Sequence, residues 1–220
     1  MSDRRRAVVT GPAHDGAHAH LSLPRRVEPG DAIALMLHGG SPFNTDPVGR
    51  LHPPALVMVP FAAALRRRTR GLVRPALLRY AVQGWNGVRR SPVVDARWAL
   101  GELAERFPGT PIALVGHSMG GRVALELAPD ERVRVVVGLA PWYAEGYPAA
   151  SFVGTPLLVL HGDEDRITDA RTSEELVRRV QALGGDATFE SIHDSHAMLR
   201  RPTQWHGRTA AFLATQLGDG

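Results

Sequence analysis

The sequence predicts an α/β fold, an open and mostly parallel sheet with helices on both faces. Three features predict it. Short continuous apolar runs recur from Asp31 onward, as strands buried on both faces require. Segments of helical period alternate with these runs, and Gly and Pro close the helical segments. In such a fold the functional loops gather at the carboxyl ends of the strands.

The elements follow in order. Two β-like stretches open the chain, "AVVTG" and the alternating "AHAHLSL" before Pro24, with turn residues between them that predict an antiparallel pair. The continuous apolar runs are Ala32 to Leu37, Leu72 to Tyr80, Pro111 to Gly116, Val133 to Ala140, Pro156 to Gly162 and Ala187 to Ile192. Pro75 lacks a ladder donor, which predicts a strand start or a bulge there. Ser91-Pro92 predicts a helix opening with Ser91 as N-cap, followed by Val93, Ala96, Leu100, Leu103, Ala104 and Phe107 at helical spacing and ended by Pro108-Gly109. Leu176, Val177, Val180 and Leu183 form an apolar stripe that stops at Gly184-Gly185. Trp205 to Leu217 reads as a closing helix with Ala211, Phe212 and Leu217 inward.

Composition bounds the functional classes. The chain has 220 residues, 44% hydrophobic and 22% charged, which predicts one globular domain over residues 1–220. Its formal charge of +4 divides unevenly, with 16 Arg against 8 acidic residues up to position 110 and 10 Arg against 14 acidic residues beyond it. Every basic residue is Arg. The cluster "LRRRTRGLVR" offers forked donors to phosphates, yet it has no interleaved aromatics and no recognition-helix pattern, so no nucleic-acid partner is expected.

The absence of Cys excludes disulfides and thiolate metal sites and suits a reducing compartment. The apolar run before Thr10 is too short for a signal-peptide core, and no segment approaches the roughly 20 apolar residues that span a bilayer. A cytoplasmic protein without a membrane partner, monomeric or homodimeric, is expected. His14, His18 and His20 alternate along one strand face, but no further ligand converges on them, so no metal site is expected either.

The chemistry gathers around Gly116-His117-Ser118-Met119-Gly120. A Gly-x-Ser-x-Gly string is weak alone; between a buried strand and a helix it describes a nucleophile elbow, where the serine takes strained backbone angles and its oxygen stands clear of the sheet. The simpler reading has glycines that permit close strand–helix packing and Ser118 as a helix N-cap. A serine hydroxyl needs a base, and the base needs an orienting group. "HGDEDRIT" after the strand Pro156 to Leu160 offers Asp165 as the acid, ahead of Asp163, which sits nearer the strand end. "HDSHAMLRR" after Ile192 offers His196 as the base, ahead of His193, which abuts the strand. The "HGGSPFN" loop from His38 to Asn44 places a backbone N–H to act with that of Met119 on a developing oxyanion.

The "LMLHGG", "LVGHSMGG", "LLVLHGDEDRIT" and "HDSHAML" segments together resemble the α/β-hydrolase superfamily, in its cap-less, single-domain serine-esterase form of carboxylesterase or dienelactone-hydrolase type. The resemblance implies an eight-stranded central sheet, with Ser118 as nucleophile, His196 as base, Asp165 as orienting acid, and the amides of Gly40 and Met119 as the oxyanion hole. It also implies that no cofactor is needed. The sequence departs from the family twice, with Ile167-Thr168 where a Val-Pro pair is common and Asp194-Ser195 where a glycine is common. Only Pro141 to Thr155 separates the sixth strand from the next, too short for a cap domain. Trp85, Trp142 and Tyr143 are candidates to line a substrate pocket. The expected function is hydrolysis of a small or medium carboxylic ester through an acyl-enzyme on Ser118. Thioester, lactone and peracid chemistry use the same parts, and a non-enzymatic ligand receptor on this fold is the reading from another class.

Overall fold

A computed structural model describes residues 7–143 and 146–218. The basic start at positions 1–6, and Ala144 and Glu145 of the connection after the sixth strand, lie outside the described residues.

The apolar runs become the strands of one sheet. In chain order these are β1 (Val8–His14), β2 (Ala17–Ser22), β3 (Ala32–Leu37), β4 (Val73–Arg79), β5 (Ile112–His117), β6 (Val133–Leu139), β7 (Leu157–Gly162) and β8 (Ala187–Ile192). Their spatial order is β1-β2-β4-β3-β5-β6-β7-β8. β2 runs antiparallel to both its neighbours, and β3 to β8 are mutually parallel where they pair. Every residue of β3, β5 and β7 is buried, which is why these strands carry no polar alternation. The sheet is therefore mixed but mostly parallel, with eight strands.

Pro75 fits inside β4 without breaking the ladder. β2 pairs with β4 only across Leu77 to Arg79, whereas β3 pairs along the whole strand. At Pro75 one side of β4 is unpaired by a strand, so the missing donor costs nothing there.

Helices cover both faces. Those on one face are α2 (Ser91–Arg106), α3 (Met119–Leu127) and α4 (Ala170–Ala182), packed on a core that includes Leu100, Val123 and Leu176. On the other lie α1 (Pro53–Arg68) and α5 (Pro202–Leu217), around Phe61, Leu65, Trp205 and Leu213. α1 escaped the sequence reading, because Pro60 interrupts its pattern and its end is a run of Arg. Pro60 is exposed, so its lost hydrogen bond faces solvent, while Met58, Phe61, Ala62 and Leu65 face the sheet.

Two local expectations are corrected. Arg90, not Ser91, caps α2: it takes a left-handed conformation with φ 47°, and Ser91 is already helical. In α5 Trp205, Ala210 and Leu213 are buried inward and Phe212 and Leu217 pack half-buried against the same core as expected, whereas Ala211 is exposed.

The strand order reverses beside β3: β4 lies on one side of it, and β5 to β8 on the other. Loops leaving β3 and β5 diverge there and open a crevice at the carboxyl edge of the sheet. No separate cap domain stands over that edge among the described residues; a single 3₁₀ turn, Ala149–Phe152, interrupts the connection from β6 to β7.

Candidate active site

Ser118 sits between the end of β5 and the start of α3 with φ 54° and ψ −117°. A non-glycine residue at such angles costs on the order of 1–3 kcal/mol and persists only when its surroundings over-determine it. They do so here. Its N–H donates to Leu139 O at 3.0 Å, and its carbonyl accepts from the N–H groups of Arg122 at 3.1 Å and Trp142 at 3.0 Å. A Cβ on Gly116 would strike the carbonyl of Gly120, and one on Gly120 would strike the carbonyls of Leu37 and His38. The turn therefore closes only with glycine at both positions. Although Ser118 occupies the N-cap position, its side chain makes no capping bond, so the hydroxyl is not committed to the helix.

The loops after β7 and β8 bring an acid and a histidine together. His196 Nδ1 lies 2.7 Å from Asp165 Oδ2. The neighbouring candidates, Asp163 and His193, meet each other instead on the exposed surface, with His193 Nδ1 3.2 Å from both Asp163 oxygens and Nε2 3.2 Å from Glu164. Asp165 also receives the N–H groups of Ile167 at 2.8 Å and Thr168 at 3.0 Å. Burial by itself would raise this carboxyl, but donors from His161, His196, Thr168 and Ile167 outweigh it and hold it far below the usual carboxylate range.

His196 is tied to the elbow through His117. The two rings lie 4.9 Å apart, and His117 Nε2–H donates to the His196 carbonyl at 2.9 Å. Nε2 of His196 has no partner among the described residues, which leaves it as the ring nitrogen open to a proton. No hydrogen bond joins it to Ser118 Oγ in this structure; such contacts are often loose before substrate arrives.

Opposite stands the loop after β3. A Cβ on Gly40 would strike both Gln83 O and the Met119 side chain, so this loop lies directly against the start of α3. The amides of Gly40 and Met119 donate to no backbone carbonyl outside the regular elements, and Met119 is the first residue of its helix, where N–H groups lack intrahelical partners. His38 braces the loop: Nδ1–H donates to Gly39 O at 2.7 Å, and Nε2 accepts from Tyr80 N–H at 3.2 Å. Burial pushes His38 down to about 4, so it is neutral near pH 7.

The aromatic candidates divide. Trp85 and Trp142 meet edge to face at 6.3 Å, with the Arg122 guanidinium 4.0 Å from the Trp85 ring centre and 5.1 Å from that of Trp142. The backbone of Trp142 binds Ser118, so this cluster adjoins the elbow. Tyr143 turns away, its hydroxyl donating to Thr172 O at 3.1 Å beside α4. An open cavity of about 810 Å³ adjoins His196, its lining including Asp165, Ile167, Ser195 and Arg200. The three strand histidines do not converge: His14 Nε2 is 2.8 Å from Asp95, and His18 Nδ1 is 3.0 Å from Gly11 O.

Sequence reasoning missed His117, His161, Thr168 and Asp194. Asp194 is fully buried and accepts from the N–H groups of Ser195 at 2.7 Å and Arg201 at 2.9 Å and from Trp205 Nε1 at 3.0 Å, which ties the His196 loop to α5. Its place at the family's common glycine was the available signal.

A family model described as phospholipase/carboxylesterase matches residues 93–205. The chain belongs to the phospholipase/carboxylesterase family. Among solved structures, an α/β serine hydrolase homologue from Coxiella burnetii is similar over 97% of this chain and 99% of its own, with a TM-score of 0.70 and 18% identity. An α/β serine hydrolase without a lid from Xanthomonas campestris matches over 98% and 96%, with a TM-score of 0.68 and 21% identity. A Pyrococcus furiosus esterase matches over 97% and 91%, with a TM-score of 0.74 and 16% identity. A comparison with curated proteins finds no match. The phospholipase/carboxylesterase assignment makes the chain an esterase-like α/β-hydrolase, a hydrolase of esters.

Proposed function

We propose that this chain cleaves small or medium carboxylic esters through an acyl-enzyme on Ser118. His196 Nε2 takes the hydroxyl proton as Oγ attacks the carbonyl carbon. Asp165 holds the ring with Nδ1–H toward itself and stabilises the imidazolium. The N–H groups of Gly40 and Met119 donate hydrogen bonds to the carbonyl oxygen and stabilise the negative charge that develops on it. His196 then returns the proton to the leaving alcohol, and a water activated by the same ring hydrolyses the acyl-enzyme. This sequence of steps requires no cofactor. The single observation that supports it best is the 2.7 Å contact between His196 and Asp165, delivered by two loops to the edge on which the strained Ser118 stands.

Trp85 and Trp142 are the proposed walls for the substrate's apolar part, because their cluster adjoins the elbow. The test uses p-nitrophenyl acetate and butyrate. Ser118→Ala is expected to abolish turnover with the fold intact, and a fluorophosphonate probe is expected to label Ser118. Retained turnover in that variant, or stoichiometric ligand binding without turnover in the natural chain, overturns the proposal. Thioester and lactone substrates in parallel assign the acyl class.

A further inference from the structure

We propose that Thr168 and His161 are positioning residues for this reaction: together they lock the Asp165 carboxylate in the one orientation that presents Oδ2 to Nδ1 of His196. The inference rests on the catalytic reading above.

Five donors surround this carboxylate. Oδ1 accepts from the N–H groups of Ile167 and Thr168 at 2.8 and 3.0 Å. Oδ2 accepts from the Thr168 hydroxyl at 2.8 Å, lies 3.2 Å from His161 Nε2, and faces His196 Nδ1 at 2.7 Å. A carboxylate offers about four lone-pair directions, so every one is taken and rotation would break several bonds at once. The side chains of Asp165 and His161 are wholly buried, which leaves no water to replace a lost donor.

His161 is itself held. Ser173 of α4, also fully buried, has its hydroxyl 2.8 Å from His161 Nδ1. With Ser173 donating there, Nε2 carries a ring proton and lies 3.1 Å from Thr168 Oγ1 and 3.2 Å from Asp165 Oδ2, facing both at once. The helix after the acid loop is thereby linked through one imidazole to the acid itself.

Thr168 stands where the Val-Pro pair common in the resembled family has its proline, which has neither an N–H nor a hydroxyl. Thr168 supplies both, one to each carboxylate oxygen. Its hydroxyl also lies 3.3 Å from His196 Nδ1, at the junction of acid and base. A ring-imposed loop shape is replaced here by a hydrogen-bonded one.

The ionisable groups around this junction are His161 on β7, His117 on β5 and Asp169 at the start of α4. Asp163, Glu164, His193 and Arg200 form the exposed ion cluster on the outer side of the same loops.

The test compares Thr168→Val with Thr168→Ser. Thr168→Val is expected to lower kcat by about tenfold, the worth of one hydrogen bond to a charged group, with KM little changed. Thr168→Ser is expected to retain the rate, and the downfield proton resonance of His196 Nδ1–H is expected to shift only in the valine variant. A Thr168→Val enzyme with natural kcat, an unshifted resonance and merely a lower Tm overturns the inference. Ser118→Ala, assayed alongside, separates the two levels. Turnover surviving there overturns the catalytic reading and this inference with it, whereas an inactive Ser118→Ala beside an unaltered Thr168→Val overturns this inference alone.

Discussion

Nδ1 of His196 lies 2.7 Å from Oδ2 of Asp165, although 31 positions of sequence separate them and their neighbours Asp163 and His193 form a second, exposed pair only one loop-width away. Two acid–histidine pairs on the same loops make a controlled comparison. Asp165→Asn is expected to lower kcat by roughly 10⁴, since an amide favours the wrong tautomer of the base while leaving the fold in place. Asp163→Asn is expected to leave kcat/KM within about twofold, because an exposed pair is worth little. Steady-state kinetics on one ester with both variants checks this, and equal losses would exchange the two assignments.

Glycine at the elbow is a steric requirement with a measurable cost. Gly120→Ala places a methyl group against the carbonyls of Leu37 and His38 and is expected to destabilise the fold by about 3 kcal/mol. Gly49→Ala meets no atom within 4 Å and is expected to change stability by less than about 0.5 kcal/mol. Urea unfolding midpoints of the two variants measure the contrast.

Two buried histidines set an acid limit on stability. Burial pushes His38 and His117 from 6.5 down to about 4. Their folded values are depressed, so protons bind the unfolded chain first. The stability they contribute is complete above pH 6.5 and is lost as the pH falls toward 4. Each steepens the decline by up to about 1.4 kcal/mol per pH unit in that window. His38→Gln is expected to flatten the plot of unfolding free energy against pH between 6.5 and 4, and an unchanged slope would show that the ring ionises freely in the fold.

Asp194 connects the candidate base to the body of the protein. Burial would raise its carboxyl, but donors from Arg201, Ser195, Trp205 and Arg200 prevail and hold it below the usual carboxylate value. Asp194→Ala leaves those N–H groups without an acceptor and is expected to cost about 2–4 kcal/mol. It is also expected to lower kcat, since the loop from Asp194 to Arg201 carries His196. Differential scanning calorimetry together with ester turnover checks both; a stable, fully active variant would exclude the connection.

The strands were legible in the sequence because the buried runs are predominantly apolar on both faces, a pattern carried by local composition. The elbow was legible for a similar local reason, since no residue but glycine fits at Gly116 and Gly120. The order in which Ser118, Asp165 and His196 follow successive strands belongs to the sequence as well. α1 was hidden because Pro60 and three consecutive Arg obscure its period, and only the sheet face it covers shows why Met58, Phe61 and Leu65 belong together. Which acid meets which histidine was decided in three dimensions. Asp163 and Asp165 are two positions apart on one loop, but only one of them lies inside the sheet edge, where His161, Thr168 and two amides can surround it. A carboxylate is fixed by the donors that converge on it, and convergence of residues from β7, the loop before α4 and the loop after β8 is a property of the folded chain.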